Sequence, residues 1–291
     1  MLNMSVFETV KAYEDFEHWF KIDTYNDTLE IITKESGESE LLAEFSKHLE
    51  NSTINNALRK DYVDDWISFT ERPEYDVYAP IQVSYSNVND MIDCYERLLI
   101  GTTMMIAESE DMNPDCTVDR TFKCLKWLRT TDFYSCPSSR VYHDSFVGGL
   151  LYHSLKVASA VQDLYKTYTF AGKVQLARAI RASLVHDWCK IGLYESYEKN
   201  VRDSKTGMWY PETAYKYRED RATLLGHGAS SMFLASRFFK LSYEEALSIR
   251  WHMGEFNVAG SEMEELSQAC RRYPLVYMIQ FADRLSCVDW L

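Results

Sequence analysis

The most restrictive feature of this sequence is a helical pattern of apolar residues that recurs from residue 117 to the C-terminal end. Apolar residues that repeat every three to four positions indicate amphipathic helices that share a core. The predicted helices span residues 117–131, 149–169, 172–187, 227–240, 243–253, 262–271 and 274–288. Capping boxes at Ser242 with Glu245 and at Ser261 with Glu264 predict two helix starts, and Pro274 suits a first helical position. The sequence therefore predicts a mainly α fold built on an all-α helical bundle.

One segment interrupts the helical pattern. Residues 194–218 are rich in Tyr, include Trp209, and carry a Ser-Lys-Thr-Gly run at 204–207. Tyr and Trp favour strands, and Gly is typical of the turn that joins two strands. We therefore predict a β-hairpin insertion that projects between two helices of the bundle.

The N-terminal part differs from the rest of the chain in charge. Residues 1–112 contain 24 Asp plus Glu against 8 Lys plus Arg, which gives −16, whereas residues 113–291 contain 20 against 23, which gives +3. Because long nucleic acids are bound through Lys and Arg, the acidic part is better suited to solubility, partner choice or exclusion of nucleic acid. The polar segment 109–115, which contains Pro114, predicts a boundary between an acidic N-terminal region of unknown role, 1–112, and a C-terminal domain, 113–291.

The N-terminal region is predicted to be smaller and mostly helical. Helical periodicity indicates helices at 5–20, 38–58 and 89–108, and the alternation of Ile81, Val83 and Tyr85 predicts a short strand.

Composition predicts a cytoplasmic protein. The first twenty residues mix acidic side chains with apolar ones, unlike a signal peptide, and no stretch approaches the roughly 20 apolar residues that span a bilayer. The seven cysteines form no C-x-x-C pair, which favours reduced thiols over a disulfide framework. We expect no membrane partner, and the oligomeric state is open.

Five short segments place His or Asp among apolar residues. They are GGLLYHSLKVA at 148–158, LVHDWCKIG at 184–192, LGHGASS at 225–231, RWHMG at 250–254 and FADRLS at 281–286. A carboxylate or imidazole that faces a helical core is costly unless something satisfies it, and a bound cation does so. Each histidine taken singly is also explained as a satisfied core or surface residue. Taken together, the set favours divalent metal ions, one or two, chosen from Mn, Fe, Ni, Co, Zn or Mg.

The order of these residues, H then HD then H, H and D, resembles the HD-domain metal-dependent phosphohydrolase superfamily over about residues 135–290. The preceding CPSSRVYHDSFVGGLLYHS at 136–154 is similar to the branch that contains 3′→5′ exoribonucleases and relaxase-associated HD domains. Trp188 and Cys189 depart from the commoner HDIGK sequence of that superfamily.

The resemblance implies a mono- or binuclear metal site. It assigns one metal to His153, His186, Asp187 and Asp283. It assigns a second metal to His227 and His252, with Asp187 as the bridge. The catalytic residues that it implies are Asp187 and Lys190, the latter meeting a substrate phosphate while a metal-activated hydroxide attacks phosphorus.

Four further residues are candidates for substrate binding. Arg140 and His143 precede His153 closely enough to border the site, although a solvated Arg and a loop His explain them equally well. Trp209 and Tyr215 of the predicted hairpin have the aromatic faces that stack on a base, or they pair across the hairpin and only stabilise it. Cys189 is predicted to be a small core residue.

Four functions are compatible with these residues. The leading interpretation is a phosphohydrolase (phosphodiesterase or nucleotidase) that cleaves a phosphate ester of a nucleotide or short oligonucleotide. The second is a 3′→5′ exonuclease on single-stranded RNA or DNA, which the acidic N-terminal region disfavours. The third is a mixed-valent di-iron oxygenase, because some HD-fold oxygenases share this ligand set. The fourth is a non-catalytic interaction or sensor module.

Overall fold

A computed structural model describes residues 76–288, except for 82, 84–86, 113, 169–171 and 221–224. The helices predicted at 5–20 and 38–58 lie outside the described residues, as does Tyr85. A compact unit begins at Val77.

The described part of the chain contains eight α-helices and one two-stranded hairpin, which confirms the predicted mainly α fold with a β-hairpin. The helices are α1 (Val88–Ser109), α2 (Pro114–Thr130), α3 (Gly149–Tyr168), α4 (Lys173–Val185), α5 (His227–Ser236), α6 (Tyr243–Arg250), α7 (Met263–Arg272) and α8 (Pro274–Ser286). The strands are β1 (Tyr194–Arg202) and β2 (Trp209–Tyr217), and short 3₁₀ turns span Trp188–Lys190, Gly254–Asn257 and Gly260–Glu262. None of the described helices is long and apolar enough to cross a bilayer.

One of the two predicted capping boxes forms. The Glu245 backbone N–H donates to the Ser242 hydroxyl, and the Ser242 backbone N–H donates to the Glu245 carboxylate, so α6 begins as predicted. The second predicted box, Ser261 with Glu264, is wrong, because α7 begins at Met263 after a 3₁₀ turn. Pro274 occupies the first turn of α8, as expected.

Helix α1 packs against α2 and α4. The buried Tyr95 hydroxyl donates to the Leu184 carbonyl at 2.9 Å and accepts from the Trp188 indole N–H at 3.0 Å. The sequence pattern places α1 in the N-terminal region, but these contacts join it to the segment that carries His186 and Asp187. It therefore forms part of the same compact unit.

Of the residues that predicted a short strand, Ile81 and Val83 are described, and neither lies in a strand. The Ile81 N–H donates to the Gln162 side chain at 3.3 Å, and the Gln162 amide donates to the Val77 and Ala79 carbonyls. A side chain on α3 thus satisfies the backbone of this segment, in place of a neighbouring strand.

Helix α3 lies against both α4 and α8, and α8 also packs on α6. The face that these helices share is apolar, with Leu150, Val157, Ile180 and Ile279 fully buried. This arrangement directs one side of each helix towards a common interior.

The hairpin pairs β1 with β2 in antiparallel register, from Tyr194 opposite Tyr217 to Arg202 opposite Trp209. Its turn is held by the Asp203 carboxylate, which accepts from the Lys205 and Thr206 backbone N–H groups. The hairpin follows Lys190 directly, so the end with Tyr194 and Tyr217 adjoins the bundle and the turn projects away from it.

Candidate metal centre

The structure brings all six predicted ligands together in one buried pocket. His153 lies on α3, His186 directly follows α4, and Asp187 comes next. His227 is the first residue of α5, and Asp283 lies on α8. His252 lies in the turn after α6, because that helix ends at Arg250, earlier than the predicted 253. The side chains are buried except for His227, whose side chain is 22% exposed.

Asp187 is the centre of the arrangement, and its two carboxylate oxygens face different histidines. Oδ2 lies 3.6 Å from His153 Nε2 and 3.4 Å from His186 Nε2. Oδ1 lies 2.8 Å from His227 Nε2 and 3.3 Å from His252 Nε2. One carboxyl group therefore stands between two histidine pairs.

Asp283 belongs to the first of these pairs. Its Oδ1 lies 3.0 Å from His153 Nε2 and 3.8 Å from His186 Nε2. Donor atoms of His153, His186 and Asp283 lie within 4.8 Å of one another, and so do those of His186, Asp187 and His252. Both groups have the spacing of a metal site.

Each histidine presents Nε2 to the carboxylates, and its Nδ1 contacts a second group. The Nδ1 atoms of His186 and His252 lie 2.6 Å from the Ser183 carbonyl and 2.7 Å from the Ile249 carbonyl. Because a carbonyl only accepts, these Nδ1 atoms carry a proton, and in the neutral ring the lone pair is then on Nε2. This orientation is typical of metal-binding histidines.

Three of the inward nitrogens have no hydrogen-bond partner among the residues that the structure describes. They are the buried Nε2 atoms of His153, His186 and His252. A buried polar atom without a partner costs about 1–3 kcal/mol. Bound cations would satisfy these atoms, so the residues present fit a metal site.

The charges of the pocket favour ionised carboxylates. Burial raises the pKa of Asp187, but the neighbouring Lys190 and His186 outweigh it and hold that pKa well below its usual range. The pKa of Asp283 is likewise lowered, since the adjacent His153 outweighs the effect of burial. Burial lowers the pKa of His227 despite the nearby Asp187. Divalent cations bind ionised carboxylates and neutral imidazoles. Although burial lowers the pKa of His153 and His252, the nearby carboxylates raise it above its ordinary value, so cation binding would displace protons from these two rings.

Lys190, predicted to be catalytic, points into the same pocket. Its Nζ lies 2.6 Å from Asp187 Oδ2 and donates to the Ser138 hydroxyl at 3.3 Å. Burial opposes its positive charge, but Asp187 raises the pKa of the amine above its ordinary value. The ammonium group is therefore charged at neutral pH and balances Asp187.

Two of the four candidate substrate residues lie near the pocket. The His143 ring is 4.8 Å from the His153 ring, and burial, with the positive charge of His153 and Lys190, lowers its pKa to about 4. The Arg140 guanidinium lies 5.4 Å from the Tyr217 ring centroid, at the base of the hairpin. His143 therefore lies beside the candidate metal centre, and Arg140 lies beside the base of the hairpin.

The two hairpin candidates are placed differently. Tyr215 is buried, with 7% of its surface exposed, and lies opposite Ser196 near the base of the hairpin. Trp209 is 65% exposed and begins β2 at the turn end, opposite Arg202. At about 3.3 Å per residue, it lies roughly 26 Å along the strand from Tyr217, and the fold does not bring it to the pocket.

Sequence reasoning missed two contacts of the histidines. Asp144 Oδ2 lies 3.5 Å from His153 Nδ1, and Cys189 Sγ lies 3.3 Å from His227 Nδ1. The dipeptide His143-Asp144 was an available signal for the first contact. Cys189, predicted to be a core residue, is indeed buried, but it also contacts a candidate ligand.

Comparison with known proteins gives no assignment. No protein-family model matches the chain, and no curated protein or solved structure matches it. A function for this chain is therefore inferred from the geometry and chemistry of the pocket itself.

Proposed function

We propose that this protein is a metal-dependent phosphohydrolase of the HD superfamily, with a binuclear centre that cleaves a phosphate ester of a nucleotide or short oligonucleotide. The observation that carries the proposal is the position of Asp187, whose two oxygens face separate histidine pairs. A single carboxylate in that position is suited to bridge two cations.

The donor set divides into two groups around Asp187. His153, His186 and Asp283 would hold one cation with Asp187, and His227 and His252 would hold the other with it. Imidazole nitrogen and carboxylate oxygen suit Mn, Fe, Ni, Co or Zn, and Mg where water supplies more oxygen. Two divalent cations lower the pKa of a coordinated water and neutralise phosphate oxygens.

Lys190 supports a phosphate substrate. Its ammonium group is charged, buried, and held beside Asp187 by the Ser138 hydroxyl. With Asp187 neutralised by bound cations, Lys190 would have charge available for a phosphate oxygen, where negative charge would grow during cleavage. The buried surroundings strengthen that attraction.

The test is metal analysis of the purified full-length protein, joined to an activity screen on phosphomonoesters, phosphodiesters and cyclic nucleotides. We expect about two cations per chain and metal-dependent release of phosphate or nucleotide. Asp187→Ala should lose both, with activity reduced at least about 10³-fold. Asp163→Ala, at an exposed position on α3, is the matched control and should retain both.

Two results would overturn the proposal. One is a metal-loaded sample that is inactive on all three ester classes. The other is substrate-dependent O₂ uptake with a di-iron spectroscopic signal, which would assign the same ligands to an oxygenase.

A further inference from the structure

A cavity of about 400 Å³ lies beside the candidate metal centre. It is bordered by the start of α5 and by the segment 254–262, and His227 is one of its lining residues. His227 also contacts Asp187. The cavity and the metal centre are therefore adjacent, and the cavity has the size of a small-molecule site.

One wall of the cavity carries a fixed guanidinium group. Arg250 Cζ lies 4.1 Å from the centroid of the buried Trp251 ring, and Arg250 Nη2 donates to Glu262 Oε1 at 2.6 Å. The other Glu262 oxygen accepts from the Ala259 backbone N–H at 3.2 Å. Stacking and pairing hold the Arg250 plane in place before any ligand binds, which lowers the entropy lost on binding.

Two large apolar side chains lie at the same cavity and are mostly exposed. Phe256 is 79% exposed and Leu225 is 61% exposed. The Arg284 guanidinium lies 5.1 Å from the Phe256 ring centroid, so the ring has a neighbour that positions it and still leaves most of it uncovered. An exposed aromatic ring at a cavity gains from contact with a flat apolar surface.

We propose that this cavity binds the nucleobase of the substrate; the inference rests on the proposed function, since it places the phosphate of the same molecule at the metal centre. A base has a flat face that stacks on Phe256 and acceptor atoms at its edge that match the Arg250 N–H groups. The parallel donors of a guanidinium fit the N7 and O6 acceptors of guanine in particular. The adjacency of His227 to both sites makes a single ligand that spans them the simplest occupant.

Guanosine and ribose are the probes, because neither carries a phosphate and binding is then independent of hydrolysis. A ligand-observed NMR titration of the metal-loaded full chain should show at least tenfold tighter binding of guanosine than of ribose. Phe256→Ala should weaken guanosine binding at least fivefold and leave ribose unchanged. Arg250→Lys, which keeps the charge but loses the planar donor pair, should also weaken guanosine binding.

Tyr277→Ala is the matched control, because this aromatic on α8 is 57% exposed and does not line the cavity. It should bind guanosine as the wild type does. Equal binding of guanosine and ribose, or wild-type binding by a folded Phe256→Ala, would overturn the inference.

The two proposals fail in different ways. Guanosine binding that depends on Phe256, without hydrolysis of any ester, would leave the cavity assignment standing and remove the proposed function. Hydrolysis that depends on Asp187, without preferential binding of guanosine over ribose, would leave the proposed function standing and remove the cavity assignment.

Discussion

Cys189 Sγ lies 3.3 Å from His227 Nδ1, on the side of the ring opposite to Asp187. The other inward-facing histidines have an oxygen near Nδ1, whereas His227 has a thiol. A thiol is the weaker hydrogen-bonding group, and His227 is also the more exposed of the ligands. The ring of His227 is therefore held less firmly than the rings of His186 and His252.

Removing the thiol should weaken binding of the cation that His227 would hold. We expect Cys189→Ala to reduce affinity for the second cation about tenfold, since the ring loses the group that orients it. Competition with a calibrated chelator measures this. Cys116→Ala, at an exposed position on α2, is the control and should leave the affinities for both cations unchanged. Unchanged affinity for the second cation in Cys189→Ala would show that packing alone orients His227.

Asp144 should support the first cation in a similar way. Its carboxylate lies between His153 Nδ1 at 3.5 Å and Lys156 Nζ at 2.9 Å. The residue has φ of +50°, a conformation that Asn tolerates better than Ala. Asp144→Asn therefore removes the charge without straining the backbone, and we expect first-cation affinity to fall about 10-fold or more.

Asp144→Ala should lose the same metal affinity and also unfold at a lower temperature. Chelator competition and thermal unfolding, measured on both variants, separate the two effects. Full metal affinity in Asp144→Asn would show that the carboxylate does not position His153.

The contribution of Lys190 to stability should depend on metal. Without a cation, Lys190→Met leaves the buried Asp187 carboxylate without its closest positive charge, and we expect a loss of about 3 kcal/mol in the free energy of unfolding. A bound cation supplies that charge, so the loss should shrink when metal is added. Urea unfolding with and without metal tests this, and Lys166→Met, at an exposed position, is the control. An equal loss of unfolding free energy in both conditions would contradict cation binding beside Asp187.

Glu110 should contribute to stability in a pH-dependent manner. It pairs with Arg178 and with Lys240, which outweigh partial burial and lower the pKa of its carboxyl. A lowered folded-state pKa means that the stabilisation is present above the unfolded value of about 4.5 and is lost as the pH falls through the folded value. Glu110→Gln should cost less than about 1 kcal/mol at pH 7, because the group is partly exposed.

Urea unfolding of wild type and Glu110→Gln from pH 7 down to pH 3 measures this difference. The two curves should converge at the acid end. A difference in unfolding free energy that stays constant over this pH range would assign the effect to packing. Glu108→Gln, at an exposed neighbouring position, serves as the reference.

The positions of His153, His186 with Asp187, and Asp283 were predictable because each lies next to a periodic apolar stripe, whereas His227 and His252 were assigned only through the resemblance to a family. The stripe fixes which face of α3 or α8 is buried, and His153 and Asp283 follow from it. Helix α6 ends earlier than its pattern suggests, because the pattern continues into the turn that carries His252. The side chains of such a turn are buried as they would be in a helix, although its backbone is not helical.

The contacts that sequence reasoning missed depend on chain segments distant in sequence. The bond from Tyr95 to Leu184 joins residues 89 apart, and no local pattern reports it. Gln162 was predicted only as part of α3, yet its side chain replaces the strand expected at Ile81. The approach of Asp144 to His153 requires a left-handed residue in a loop, which periodicity does not describe.

The carboxyl group of Asp187 has a thermodynamic consequence for the proposed pair of cations. Because both histidine pairs share it, occupancy of one position changes the charge that the other position meets. The two affinities are then linked, and the linkage is reciprocal: whatever the first ion does to the second, the second does to the first. A cell that sets the free concentration of one metal would thereby set the occupancy of the whole centre.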